Sequence, residues 1–394
     1  MNTTPDSFLD LPSSSVLACF RELPDPRVDR TRDHELGDIL VIGLCTLLGG
    51  GETFADMERF GQAQENWLRT FLRLPCGIPS HDTFNRVFSA LDPKAFGDCF
   101  LRWTQSVRQA IGEEIVALDG KALRRALKAK AVPYIVNAWA ADNGLVLGQV
   151  KVDEKSNEIT AVPELLRALE LAGCIVTVDA MGCQKKIARE IREADADYVL
   201  ALKGNQETVH AEVKTFLDDA VQHDPTAMAS YETVEKDHGR IEIRRYWQTS
   251  RLDWFADLPK WEGLASIGMV ESERRIPGKE IQIERRYFLS SLTVEPKRFA
   301  RAVRGHWSIE NNLHWVLDVQ FGEDQSRART GYADQNMALL RRLALNVLKR
   351  DTLRDRSLKG RQKRAAWNPA YRLRLLGLSV SVDKPQEPAE PPGA

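Results

Sequence analysis

The chain has 394 residues, 43% of them hydrophobic and 28% charged. That is enough to bury a sizeable core and to divide into two or three domains. The longest apolar run, Ile39 to Leu48, is far shorter than the roughly 20 residues of a membrane span, and Met1 to Leu9 lacks a basic-then-apolar export signal. A cytoplasmic protein with no membrane partner is expected.

The six cysteines, at positions 19, 45, 76, 99, 174 and 183, form no C-x-x-C pair and mostly fall in apolar segments. Reduced, buried thiols without a zinc site are expected. The formal net charge is only −1, but twelve Lys or Arg stand between Arg341 and Arg374 against Asp351 and Asp355. Such a run is either a solvated helical face or a footprint for polyphosphate, where each neutralised phosphate releases counterions.

Residues 1–110 have a helical pattern. A helix starts within Asp33 to Leu40 and ends at Gly49–Gly51, and Thr53 caps the next, which runs through Met57, Phe60, Trp67 and Phe71. Ser80 caps a short helix over Asp82–Phe88. Its Thr83, Asn85 and Arg86 suit either a DNA-recognition surface or ordinary bundle packing.

From Glu114 the pattern changes to strands. Ile115–Leu118 is a buried strand ending at Asp119, and Tyr134–Ala140 and Leu145–Val152 form a hairpin about Asp142-Asn143-Gly144. A helix over 160–171 leads to strand Cys174–Val178, which also ends at an aspartate, Asp179. Helix Gln184–Glu193 and strand Asp197–Lys203 follow. This order predicts a mixed sheet covered by helices, with Asp119 and Asp179 side by side at strand ends.

Helix Thr208–Val221 and strands at 239–247, 264–271 and 281–288 then interrupt the plan, as an insertion before the last helical part. In that part Ile309, Leu313, Val316 and Leu317 make the buried stripe of an amphipathic helix. His306, Glu310 and His314 share the neighbouring face, and Asp318 extends their row.

Two strand-end aspartates and one helical glutamate supply the hard oxygen donors that Mg²⁺ takes at a phosphodiester. Singly, each residue also suits a plainer role. Asp119 before Gly120 fits a turn, Glu310 a solvated helix, and the row with two histidines a structural or zinc site. The row does not match H-E-x-x-H, and no phosphate-binding G-x-x-x-x-G-K-[ST] loop is present.

Six motifs in order extend the argument: Ala117-Leu-Asp-Gly-Lys121, Asp153–Thr160, Thr177-Val-Asp-Ala-Met-Gly-Cys-Gln184, Asp197–Gln206, His238-Gly-Arg-Ile-Glu242 and Arg304-Gly-His-Trp-Ser-Ile-Glu-Asn311. Together they resemble the H-repeat-associated family of bacterial insertion-sequence transposases, over nearly the whole chain. The resemblance implies a ribonuclease-H-like mixed sheet flanked by helices (an α/β, or α+β, fold), with an Asp-Asp-Glu triad carried onto Asp119, Asp179 and Glu310 as catalytic and metal-binding residues.

It also implies Mg²⁺, with Mn²⁺ as a substitute, and DNA or substrate contacts from Lys121, Lys203, Asn205, Gln206, Arg304, His306 and Trp307. The implied activity is cleavage and strand transfer at the ends of an insertion sequence. Partners would be double-stranded DNA, as terminal repeats and target, and a second copy in a homodimer, in the bacterial cytoplasm and on the nucleoid when DNA-bound. The alternatives are an inactive DNA-binding relative and a nuclease that cuts without integrating.

The domains expected are 1–110 helical, 111–206 and 296–350 core, 207–295 β-rich insertion, 351–381 basic segment and 382–394 disordered tail. Two departures stand out. Ala122-Leu-Arg-Arg-Ala126 replaces the usual Thr and Gly-Ser continuation. Val303, His306 and Leu317 stand where hairpin-forming relatives carry Tyr, Arg and Lys.

Overall fold

A computed structural model describes residues 15–122, 134–152, 158–237, 239–351 and 357–378. The departure at 123–126, most of the Asp153 motif, His238 and the tail from 382 lie outside them.

The N-terminal helices are α1 (Val16–Arg21), α2 (Leu36–Leu48), α3 (Phe54–Ala63), α4 (Glu65–Leu68), α5 (His81–Ala90) and α6 (Pro93–Val107). The Thr53 and Ser80 caps form as expected, Thr53 in a reciprocal capping box with Asp56. Cys19 on α1 and Cys99 on α6 are joined as a disulfide, which corrects the expectation of reduced thiols for this pair. Sequence spacing carries no pairing information across 80 residues.

The sheet strands are β1 (Ile115–Ala122), β2 (Tyr134–Ala140), β3 (Leu145–Val152), β4 (Ile175–Val178), β5 (Asp197–Leu202), β6 (Ala229–Asp237), β7 (Arg240–Thr249), β8 (Ser266–Arg275) and β9 (Gln282–Ser290). Their order is β3-β2-β1-β4-β5-β9-β8-β7-β6. β1, β4 and β5 are parallel and the β1-β2-β3 meander antiparallel, which is the ribonuclease-H-like arrangement. The inserted strands extend the same sheet, because β9 pairs antiparallel with β5. β6 had no expectation in the sequence. As the edge strand it is mostly exposed, and of its described side chains only Tyr231 and Thr233 are half-buried, too few to make an apolar alternation.

Alternation of side chains along β1 and β4 assigns their residues to the two faces. Val116, Leu118, Val176 and Val178 pack into a core with helices α7 (Glu158–Ala168), α8 (Lys185–Glu193) and α9 (Glu207–His223). Ile115 and Ile175 point the other way, with Phe299 and Val303. Asp119 and Asp179 continue the Ile115 and Ile175 series. They therefore face the helices that cover that side.

Those helices are α10 (Pro296–Ile309) and α11 (Trp315–Gln320), joined by one π-helical turn, Glu310–His314. Gly305 allows α10 to lie close on β1, since a Cβ there would stand 2.7 Å from Cδ1 of Ile115. Beyond them, α12 (Ala333–Lys349) is buried nearly all round and shares one apolar core with the N-terminal helices and with Ile309 and Leu313. Asn346 docks it on β3, accepting from Val146 N–H at 2.9 Å and donating to Val146 C=O at 2.8 Å. Helices α13 (Leu358–Trp367) and α14 (Pro369–Leu375) close the fold.

This packing takes part of the basic segment out of the surface. Arg341, Arg342 and Arg372 are buried, Lys349 lies over the Trp139 ring, and Arg374 pairs with Asp351. The buried part of the run is internal scaffolding, because α12 has no solvated face to carry it, while Arg350, Lys359, Lys363 and Arg374 remain exposed. No helix among the described residues is long and apolar enough to cross a membrane.

Candidate active site

β1 does not end at Asp119 but continues to Ala122, so Asp119–Gly120 is not a turn. Pairing of β1 with β4 stops at Leu118 and Val178, and the two aspartates follow in that parallel register. Asp119 Oδ1 accepts from Gly120 N–H at 2.8 Å. A Cβ on residue 120 would stand 1.9 Å from the Tyr134 ring, which lies directly over this glycine.

The π turn presents Glu310 and His314 to the same place. Trp315 N–H reaches back to Glu310 C=O, an i→i+5 bond, and π turns interrupt helices mostly at functional sites. A donor atom from each of Asp119, Glu310 and His314 lies within 4.8 Å of the others. Nδ1 of His314 is 3.6 Å from Asp119 Oδ2 and 3.7 Å from Glu310 Oε2. Asp318, expected to extend this row, instead meets Lys121 behind the site at 2.6 Å. The π turn interrupts the even α-helical spacing that the row assumed.

Charge is crowded here. Burial pushes the Asp119 carboxyl up to about 6, with His314 opposing the rise and the Asp179 and Glu310 charges adding to it. Glu310, largely exposed, is held below the usual carboxylate range by its interaction with His314. A cation among these groups would relieve the repulsion that raises Asp119, so the donor set fits a divalent ion. His306 is a neutral neighbour. Burial lowers its imidazole to about 4, and its Nδ1 is 3.0 Å from Thr177 Oγ1 on β4, two residues before Asp179.

Lys121 is enclosed. Its Nζ lies 2.6 Å from Asp318, 3.0 Å from Asp324 and 3.7 Å from Glu323. Against the pull of burial, Glu323, Asp318 and Asp324 hold the ammonium above its ordinary value. Glu323 accepts in turn from buried Arg342 at 2.7 Å, and Arg342 Nε donates to Asn137, the cross-strand partner of Asp119. This chain of charges ties β1 to the segment after α11. Its members in the Phe321-Gly-Glu-Asp run and on α12 look like ordinary surface charges in the sequence.

The other expected contact residues separate into two groups. Asn205 and Gln206 follow β5 and donate to Ala180 and Cys183 C=O, so they staple the turn that carries Asp179, while Lys203 beside them is exposed. Arg304 pairs with Glu235 on β6 at 2.8 Å, and half-exposed Trp307 lies under the Arg286 guanidinium, 4.2 Å from its ring centre. Both line a cleft of about 300 Å³ between α10 and the extended sheet, with Arg244, Arg274, Glu242 and Glu273.

Comparison with known proteins identifies the family. Residues 111–347 match the family model described as the transposase DDE domain, and residues 17–104 match its associated N-terminal model. Over 365 residues, 90% of this chain and 95% of the relative, the chain is 36% identical to the "H repeat-associated putative transposase YhhI" of Escherichia coli K12. It is 45% identical over 283 residues, 70% of this chain and 94% of the relative, to an uncharacterized protein in the dhlA 3′ region of Xanthobacter autotrophicus. A solved piggyBac transposase synaptic complex with hairpin DNA aligns with 98% of this chain and 84% of its own, at TM-score 0.44 and 13% identity, too distant to add to the assignment. With both family models matched in order and the acidic residues converging on one sheet face, the chain belongs to the DDE transposase family of H-repeat-associated elements.

Proposed function

We propose that this protein cleaves DNA at the ends of its own insertion sequence and joins the freed ends to a target, using Mg²⁺ or, in its place, Mn²⁺. The observation that carries this reading is the parallel register of β1 and β4, which sets Asp119 beside Asp179 on the face covered by Glu310. Two divalent ions held by such carboxylates stabilise the attacking and leaving oxygens of an in-line displacement at phosphorus.

The chain's own residues set up that displacement. Asp119, Asp179 and Glu310 hold their oxygens on rigid elements, two on a sheet and one on a helix pressed against it. Neutral His306 braces α10 on β4 through Thr177 without adding positive charge. In the first reaction water attacks a phosphodiester, one P–O bond forms, one breaks, and a 3′ hydroxyl is released. In the second that hydroxyl attacks the target phosphodiester, again exchanging one P–O bond for another. A homodimer pairs two terminal repeats, and the exposed Lys203, with Arg304 and Trp307 in the cleft, contacts DNA. Lys121 serves the site from behind.

The test is a strand-transfer assay with a labelled element end and a supercoiled target in Mg²⁺. Wild type should give joined product, and Asp179→Ala and Glu310→Ala should give none while still binding the end. Cleavage without joining would make the protein a nuclease. End binding that survives EDTA, with no cleavage in Mg²⁺, would make it an inactive DNA-binding relative.

A further inference from the structure

His314 is the one member of the convergent group for which the family reading has no role. We infer that it is a nitrogen ligand of the ion held by Asp119 and Glu310, so that this site takes a mixed nitrogen and oxygen donor set and prefers a first-row transition ion, Mn²⁺, to Mg²⁺. The inference rests on the proposed reading of the acids as metal ligands.

The distances are the first argument. Nδ1 stands 3.6 Å from Asp119 Oδ2 and 3.7 Å from Glu310 Oε2, beyond the separation of a hydrogen bond to either. Two donors about 2.1 Å from one small ion stand roughly 3.0 Å apart when adjacent and about 4.2 Å when opposite. Both observed separations fall inside that interval.

Burial is the second. The His314 side chain is only 8% exposed, and its other nitrogen, Nε2, is buried with no hydrogen-bond partner among the described residues. Buried polar atoms are nearly always satisfied, and among the described residues no partner stands within hydrogen-bond distance of Nδ1, the nitrogen turned to the two carboxylates. The ring also cannot be a solvated bystander. The π turn and buried Leu313 beside it aim it at the two carboxylates.

Donor chemistry favours a first-row transition ion over Mg²⁺, and Mn²⁺ is the one that shares the family's oxygen donors. Mg²⁺ keeps to oxygen ligands and water in a near-ideal octahedron, whereas imidazole suits first-row transition ions, for which affinity rises from Mn²⁺ onward. Mn²⁺ tolerates the carboxylate oxygens as well. It is also paramagnetic, which makes the ligand nitrogen observable.

The experiment uses the full-length protein and Mn²⁺ alone. Electron spin-echo envelope modulation of bound Mn²⁺ should show coupling to a ¹⁴N nucleus, and titrations should show Mn²⁺ bound at least about tenfold more tightly than Mg²⁺, a difference of 1.4 kcal/mol. His314→Ala should still bind both ions, lose the ¹⁴N modulation and lose most of the preference. Bound Mn²⁺ without ¹⁴N modulation in wild type would overturn the inference, whether or not the variant folds. Modulation persisting in His314→Ala would overturn it too, by placing the nitrogen on another residue such as His306. Wild type that binds neither ion would instead overturn the reading of Asp119 and Glu310 as metal ligands, which Glu310→Gln tests separately through loss of Mn²⁺ binding.

Discussion

Lys121 on β1 and Asp318 on α11 meet at 2.6 Å in the interior, linking the strand of Asp119 to the helix that follows Glu310. Two further carboxylates, Asp324 and Glu323, surround the same ammonium, and Glu323 also holds Arg342. Removing the lysine strands buried negative charge, and breaking one side of such a pair costs about 3–5 kcal/mol. Lys121→Met should therefore lower the thermal midpoint sharply, and DNA binding should fall only as far as folding does. A variant of wild-type stability with weakened DNA affinity would return Lys121 to the DNA surface.

The approach of α10 to β1 is a second point of control. Gly305→Ala places a methyl 2.7 Å from Cδ1 and 2.8 Å from Cγ2 of Ile115, and overpacking of this kind costs about 1–3 kcal/mol. Cleavage should fall further than stability, because Glu310 lies on the next turns of the displaced helix. Ile115→Ala in the same chain should restore part of both. No change in cleavage on Gly305→Ala would mean that the helix position is not set by this contact.

Asp38 in α2 provides a pH dependence away from the active site. It is 4% exposed and accepts from Leu74 N–H at 2.9 Å, and burial pushes it up to about 6 from 3.8. With a carboxyl raised on folding, the stabilisation is complete below about pH 4 and is lost as pH rises through about 6. The difference amounts to about 3 kcal/mol. Denaturant unfolding at pH 4 and pH 8 should show wild type losing that much more stability than Asp38→Asn. Parallel losses in the two proteins would rule out Asp38 as the titrating group.

Docking of α12 depends on Asn346, which is fully buried and satisfies both backbone groups of Val146. Asn346→Ala leaves an N–H and a C=O unpaired inside the protein, each costing about 1–3 kcal/mol. The loss should appear as a lower denaturant midpoint with an unchanged slope. Backbone amide exchange at Val146 should rise in the variant, and unchanged protection there would show that water or a neighbour replaces the amide.

Local patterns in the amino-acid sequence determined the order of the core strands and helices, the Thr53 and Ser80 caps, the hairpin at Asp142–Gly144 and the placement of Asp119 and Asp179 at the ends of apolar strand runs and of Glu310 on a helix. Each of these follows from hydrophobic periodicity or from a side chain bonding its own backbone neighbours, both short-range effects. Motif resemblance added the family, which the comparisons bear out, and with it the grouping of those three acids as one site.

Tertiary structure alone decided the rest. The π turn at Glu310–His314 departs from the even α-helical spacing, so Asp318 left the expected row and met Lys121, 197 positions away in the chain numbering. Arg341 and Arg342 became interior because α12 is packed against the N-terminal helices and β3, and a charge count has no knowledge of what covers a helix. Likewise the Cys19–Cys99 bridge, the extension of the core sheet through β9 and the meeting of Asp119 with Glu310 and His314 are products of long-range packing. Which distant residues touch is settled when buried surfaces find their partners, and no local pattern encodes that choice.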